Sequence, residues 1–151
     1  MLQQTMEKQV RHTFHTLRTA IANCPDELWC AGEGAYLVIA RLAFHALQAM
    51  DYHLDAHPER FDWDAYGVYW EGSAPEALWD RARTLAYLDE MHDKARAFVA
   101  DEAGLLGEDV SPRFHLSRLD HLCYALRHTA QHSGEINALL RQAGAPVGSW
   151  S

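Results

Sequence analysis

The segment His128-Thr129-Ala130-Gln131-His132 sets two imidazoles four residues apart, and on a helix that spacing brings both to one side, about one turn from each other. Neutral imidazole is the commonest protein ligand for metal ions, so the pair offers two donors to a single divalent cation. Zinc helices of the HExxH type use the same geometry, but no glutamate base stands between these two histidines, which excludes protease chemistry of that kind. In a chain with 10 histidines such a pair also arises by chance, and a metal reading needs a third donor. His45 is the strongest candidate, because Val38, Leu42, Ala49 and Tyr52 share its helix face at offsets of three, four and seven residues and turn its ring toward the core. Two readings stand side by side here. His45 is a neutral core histidine hydrogen-bonded to a hydroxyl or carbonyl, or it completes an open three-histidine site if its helix neighbours that of His128 and His132.

The remaining histidines carry weaker signals. His53 and His57 are also four apart, but Pro58 pushes His57 away from helical geometry and spoils the pair. His121 lies seven residues before His128, with Tyr124 between them on the same side, and reads as a solvated face rather than a ligand-orienting group or substrate contact. His12, His15, His92 and His115 have no partner spacing beyond a surface reading, and Asp89-x-x-His92 is not the Glu-x-x-His repeat of di-iron bundles. Glu135 follows His128 by seven residues and His132 by three, so it either orients a ligand and accepts a proton or is an ordinary solvated carboxylate. Trp63, Tyr66, Tyr69 and Trp70 could wall a substrate pocket, although packing over a bundle end is the safer reading. Cys24, Cys30 and Cys123 form no CxxC arrangement and read as reduced, mostly packed thiols.

Helices must position these residues. Val10, Phe14, Leu17 and Ile21 form an amphipathic stripe over a first helix from about Leu2 to Asn23. A second helix opens after Gly32-Glu33-Gly34 and runs to about Asp55, with an apolar centre around Leu37 to Leu47. The stretch 56–74 is aromatic and turn-rich, and too long for a tight link between antiparallel helices. Ser73-Ala74-Pro75-Glu76 then has a capping-box pattern ahead of a third helix ending near Glu102. Ser117-Arg118-Leu119-Asp120 has a second, ahead of a fourth helix that stops before Gly144 and Pro146. No strand periodicity of convincing length competes with this pattern.

The expected fold is therefore all-α, a four-helix bundle with a long crossover between helices two and three, in a single domain over residues 1–151. A formal net charge of -8 opposes the phosphate neutralisation on which nucleic-acid binding depends, so no nucleic acid and no anionic membrane is expected as a partner. No apolar run reaches the length of a spanning helix and the N-terminus lacks a leader pattern, which gives an expectation of a cytoplasmic protein.

In the order of these residues the chain resembles the DinB/YfiT-like family of metal-dependent enzymes. The family pattern has a histidine in the middle of helix two and a late-helix segment H-x-x-x-H-x-G-[QE]-[IL], followed by a leucine-rich end and a glycine. Here His45 stands at the first position, and His128, His132, Gly134, Glu135 and Ile136 at the second, with Ala138 to Gly144 completing it. The resemblance implies an up-down-down-up bundle, commonly a homodimer, with nickel, zinc or iron on His45, His128 and His132. It also implies a small-molecule substrate such as a low-molecular-weight thiol, since relatives include thiol-S-transferases using mycothiol or bacillithiol and a thiol-dependent isomerase. The chain departs from the pattern at Glu135, where glutamine is frequent, and in its longer aromatic insert over 61–70. The functional expectation is a metal-dependent enzyme activating a thiol or water, a thiol-S-transferase or hydrolase-like activity. The alternative is a non-enzymatic helical binding or stress-response protein, with or without metal, acting through a dimer or partner surface.

Overall fold

A computed structural model describes residues 1–107 and 116–150, and among these residues the chain is helical with no strand. His115 lies outside the described residues. Four long helices carry the architecture: α1 (Leu2–Asn23), α3 (Ile39–His53), α4 (Arg81–Ala100) and α6 (Arg118–Gln142). Two single-turn helices, α2 (Asp26–Trp29) and α5 (Glu102–Leu105), follow α1 and α4, and short 3-10 turns occupy Ala35–Leu37, Pro58–Arg60 and Pro75–Ala77.

The apolar stripes meet in one core. Phe14, Leu17 and Ile21 of α1 are fully buried with Leu42, Phe44, Leu47 and Met50 of α3, Leu88 of α4, and Leu122, Ile136 and Leu140 of α6. Each such side chain contributes about 1.5–3 kcal/mol by leaving water. Helix α3 packs chiefly on α6 and also on α4, while α1 packs on α4 and α6. Helix α3 is buried on nearly every side, as its apolar centre requires. No helix among the described residues is long and apolar enough to cross a membrane.

Two helix starts differ from the sequence expectation, each for a local reason. Gly32 does not open α3. Its φ of 102° lies in the left-handed region, and a Cβ there would sit 2.5 Å from the Leu37 carbonyl oxygen, so the glycine builds a turn that folds back on Leu37. The chain passes through the 3-10 turn Ala35–Leu37 and an extended Val38 before α3 begins at Ile39. Ser73 likewise does not cap a long helix; its Oγ accepts from the Tyr69 backbone N–H at 2.8 Å. The true cap of α4 is Asp80, whose carboxylate accepts from the Arg83 N–H at 2.7 Å. The second expected capping box is present in full at the start of α6, with Ser117 and Asp120 serving each other's backbone N–H groups.

The crossover between α3 and α4 is pinned to the bundle by side chains of α3. Arg41 donates to the main-chain oxygens of Trp70 at 2.8 Å and Ser73 at 2.5 Å. Gln48 donates to the oxygen of Trp63 at 2.8 Å. Asp51 accepts from the Tyr66 hydroxyl at 2.9 Å, the Tyr87 hydroxyl at 2.8 Å and Lys94 Nζ at 2.5 Å. Burial and the Asp51 carboxylate hold the Tyr87 hydroxyl well above the usual phenol range, so it stays a donor.

Candidate metal centre

Helix α3 supplies His45 and the facing helix α6 supplies His128 and His132. One ring nitrogen from each of the three lies within 4.8 Å of the other two. His132 is 2% exposed, while His45 and His128 are half-buried. His45 is thus less enclosed than its helix face predicts, because it sits at the edge of the core where α3, α6 and the crossover meet.

Hydrogen bonds fix the orientation of one ring and leave the others unsatisfied. His132 Nδ1 lies 2.7 Å from Glu135 Oε2. A carboxylate only accepts, so Nδ1 carries the proton and Nε2 keeps its lone pair. That Nε2 faces His128 Nε2 at 3.1 Å. His128 Nδ1 and His45 Nδ1 are buried with no hydrogen-bond partner. Whichever tautomer His128 adopts, one buried polar atom goes unmet, a state that costs about 1–3 kcal/mol per group. A cation between the facing Nε2 atoms would take both lone pairs at once, which neither ring can do for the other when both are unprotonated there. The donor set of three imidazoles, one backed by a carboxylate, could hold a metal ion.

His45 and His128 are held neutral, the state that a metal-binding imidazole needs. Burial, with His128 and His132 adding to it, lowers the pKa of His45 to about 3. Burial and His132 lower that of His128 to about 4, against a smaller opposing pull from Glu135.

Each of the three imidazoles carries one aromatic ring on its flat face, which the sequence did not reveal. Trp70 of the crossover stacks on His45 with centroids 3.9 Å apart and planes at 22°. Tyr36, from the 3-10 turn before α3, lies along His132 at 6.4 Å and 24°. Tyr124 of α6 lies along His128 at 6.0 Å and 17°. A ring stacked on the flat face leaves the nitrogen-bearing edge uncovered, so the aromatics act as walls around the donors. The insert therefore splits the two earlier readings: Tyr66 and Trp70 pack inward, Trp70 against His45, while Trp63 and Tyr69 are exposed.

His121 corrects the expectation of a solvated face. It is 1% exposed, and its Nδ1 lies 2.8 Å from Nδ1 of His53 at the end of α3. Tyr124 covers His53 with centroids 4.4 Å apart, so a second histidine pair lies one step along the same α3–α6 seam. His57 is exposed beside Glu59, as Pro58 predicts. His15 reaches Ser149, and His92 stacks on Phe14, which gives it a packing role beyond the surface reading. A polar cleft of about 1010 Å³ between α1 and α4, lined by Glu7, Lys8, Arg11 and Arg96 among others, is remote from the three histidines. Among the cysteines only Cys24 is buried, and Cys123 is exposed, so the thiols are less uniformly packed than expected.

In comparison with known proteins, no family model matches the sequence, and no curated protein matches it.

Proposed function

We propose that the protein is a metal-dependent enzyme of the DinB/YfiT-like type, in which His45, His128 and His132 hold one divalent ion of zinc, nickel or iron. The observation that carries this reading is the convergence of the three ring nitrogens within 4.8 Å, with Glu135 fixing the tautomer of His132. When bound, the ion lowers the pKa of a thiol or water in an open position and so supplies the nucleophile. Three protein donors with no fourth histidine, cysteine or carboxylate in the group, among the described residues, match catalytic sites rather than closed structural ones. Glu135 orients His132, and its second oxygen accepts from Gln131 at 3.2 Å, so the carboxylate stays fixed beside the ligands.

The fold supports the same assignment. Residues early in α1 line a cleft with residues late in α4, which sets those helices antiparallel. Phe44 and Asp51 meet Tyr87 and Lys94 in increasing order, which supports the parallel α3–α4 pairing that an up-down-down-up bundle with a crossover requires. A homodimer, a low-molecular-weight thiol substrate and a cytoplasmic setting belong to the same reading; the first two rest on the resemblance, the last is the expectation drawn from the sequence. A non-enzymatic binding protein is the second reading, favoured by Trp63 and Tyr69 of the crossover, which are exposed and offer aromatic surface to a partner.

Elemental analysis of protein purified without a histidine tag, beside the variant with His45, His128 and His132 all changed to alanine, tests the proposal. Near-stoichiometric metal that disappears in the triple variant supports it. A wild-type chain still empty after incubation with zinc and nickel overturns it.

A further inference from the structure

Among the described residues, Arg41 is a buried cation without a counter-ion. It is 8% exposed, no carboxylate pairs with it among the described residues, and its Nε has no hydrogen-bond partner. A buried guanidinium is normally matched by an anion, because desolvating an unpaired charge is expensive. Here both terminal nitrogens go instead to neutral acceptors, the main-chain oxygens of Trp70 and Ser73. Core stability alone gives no reason to place a charge there, whereas two fixed donors spaced as a fork can hold a loop in one position.

The position of Arg41 on its helix gives that loop its importance. Arg41 precedes His45 by four residues and Gln48 follows it by three, so the two flank His45 on one face of α3. Both reach across to crossover carbonyls, of Trp70 and of Trp63. The crossover is thus tied down on either side of His45, and the residue whose carbonyl Arg41 holds is the one whose indole lies on the His45 ring at 3.9 Å.

We propose that Arg41 is a positioning residue for the candidate metal centre: by its fork to the Trp70 and Ser73 carbonyls it holds the Trp70 indole flat on His45, fixes that imidazole's rotation, and keeps the crossover closed over that side of the site. This rests on the proposed three-histidine metal site, but the clamp itself is testable without metal. A lysine at position 41 keeps the charge and loses the fork, since a single ammonium cannot reproduce the planar two-nitrogen geometry.

The test compares wild type with Arg41→Lys and Arg41→Gln, with Trp70→Phe serving to isolate the Trp70 emission by difference. In the metal-free chains, acrylamide quenching of that difference emission is expected to rise several-fold in both Arg41 variants, with helix content unchanged by circular dichroism. In zinc-loaded chains, release to a chromophoric chelator is expected to be roughly tenfold faster, and the cobalt-loaded variants are expected to show altered d–d bands as His45 is freed. Unchanged quenching in folded variants overturns the clamp. So does unchanged zinc release alongside unchanged cobalt bands, which removes Arg41 from the centre. If the wild-type chain binds no metal, the metalloenzyme reading fails and the quenching arm alone judges the clamp. If both variants fail to fold, the Nε–H signal of Arg41 in wild type decides by nuclear magnetic resonance. Slow solvent exchange supports the closed position, and exchange as fast as that of exposed arginines overturns it.

Discussion

At Nδ1 of His132 the Glu135 carboxylate accepts a hydrogen bond of 2.7 Å, and that contact decides which ring nitrogen keeps its lone pair for a cation. Glu135→Ala is therefore expected to weaken zinc binding roughly 10- to 100-fold, whereas Glu135→Gln, whose amide oxygen still accepts, retains most of it; competition against a chelator of known affinity measures both. Equal affinity in all three chains would reduce Glu135 to a bystander. The buried rings also set a pH dependence. Histidine in the unfolded chain titrates near 6.5, while the folded values fall to about 3 for His45 and His53 and about 4 for His128. The unfolded state thus binds more protons between those values, so the stability from neutral rings is complete above about pH 6.5 and is lost progressively as pH falls toward about 3. The urea midpoint of the metal-free protein should drop between about pH 7.5 and about pH 5, where carboxylates are still largely ionised, and a flat midpoint would contradict the neutral burial of these rings. The three-histidine group was legible because a four-residue step on one helix and an apolar face on another are periodic signals. The stacking of Tyr36 and Trp70 was not, since both come from irregular segments whose paths no periodicity records. His121 was misread because its partner, His53, sits at the far end of a different helix.

Helix boundaries show where local sequence chemistry suffices and where tertiary contacts override it. Ser117-x-x-Asp120 caps α6 as its pattern predicts, with the Asp120 N–H to Ser117 Oγ at 3.1 Å and the Ser117 N–H to Asp120 Oδ2 at 3.1 Å. Ser73-x-x-Glu76 has the same pattern and does not, because the residues that follow are committed elsewhere. The Trp79 carbonyl accepts from the Trp29 indole at 2.8 Å, and the Trp79 ring packs edge-on against Phe44 at 5.0 Å. Leu78 is accordingly extended, and α4 waits for Asp80. Ser117→Ala and Asp80→Ala should each lower unfolding free energy by about 1 kcal/mol, read from urea denaturation at constant slope. Glu76→Ala, at a position which the sequence pattern alone would place in a capping box, should have no measurable effect. A loss at Glu76 matching that at Asp80 would mean that the helix begins earlier than Arg81.

For the whole molecule the decisive feature is that the donors come from two helices far apart in sequence, His45 on α3 and the pair on α6. An ion held between them is bound by the folded chain and not, with comparable affinity, by the unfolded one, so binding adds directly to global stability. At free zinc about 100-fold above the dissociation constant the gain is about 2.7 kcal/mol. For a chain of 151 residues that corresponds to a rise of about 5–10 °C in melting temperature. The triple alanine variant should show no rise with zinc. Its metal-free melting temperature should stay close to that of wild type, or fall only modestly, because it removes buried polar atoms that have no partner of their own along with the packing of three rings. This contrast separates a metal centre from a core polar cluster. If the histidines served packing alone, zinc would leave the wild-type melting temperature unmoved and chelator would change nothing. If they serve a cation, the wild-type gain scales with the logarithm of free zinc and is abolished by chelator, so one melting series at several zinc concentrations decides between the two.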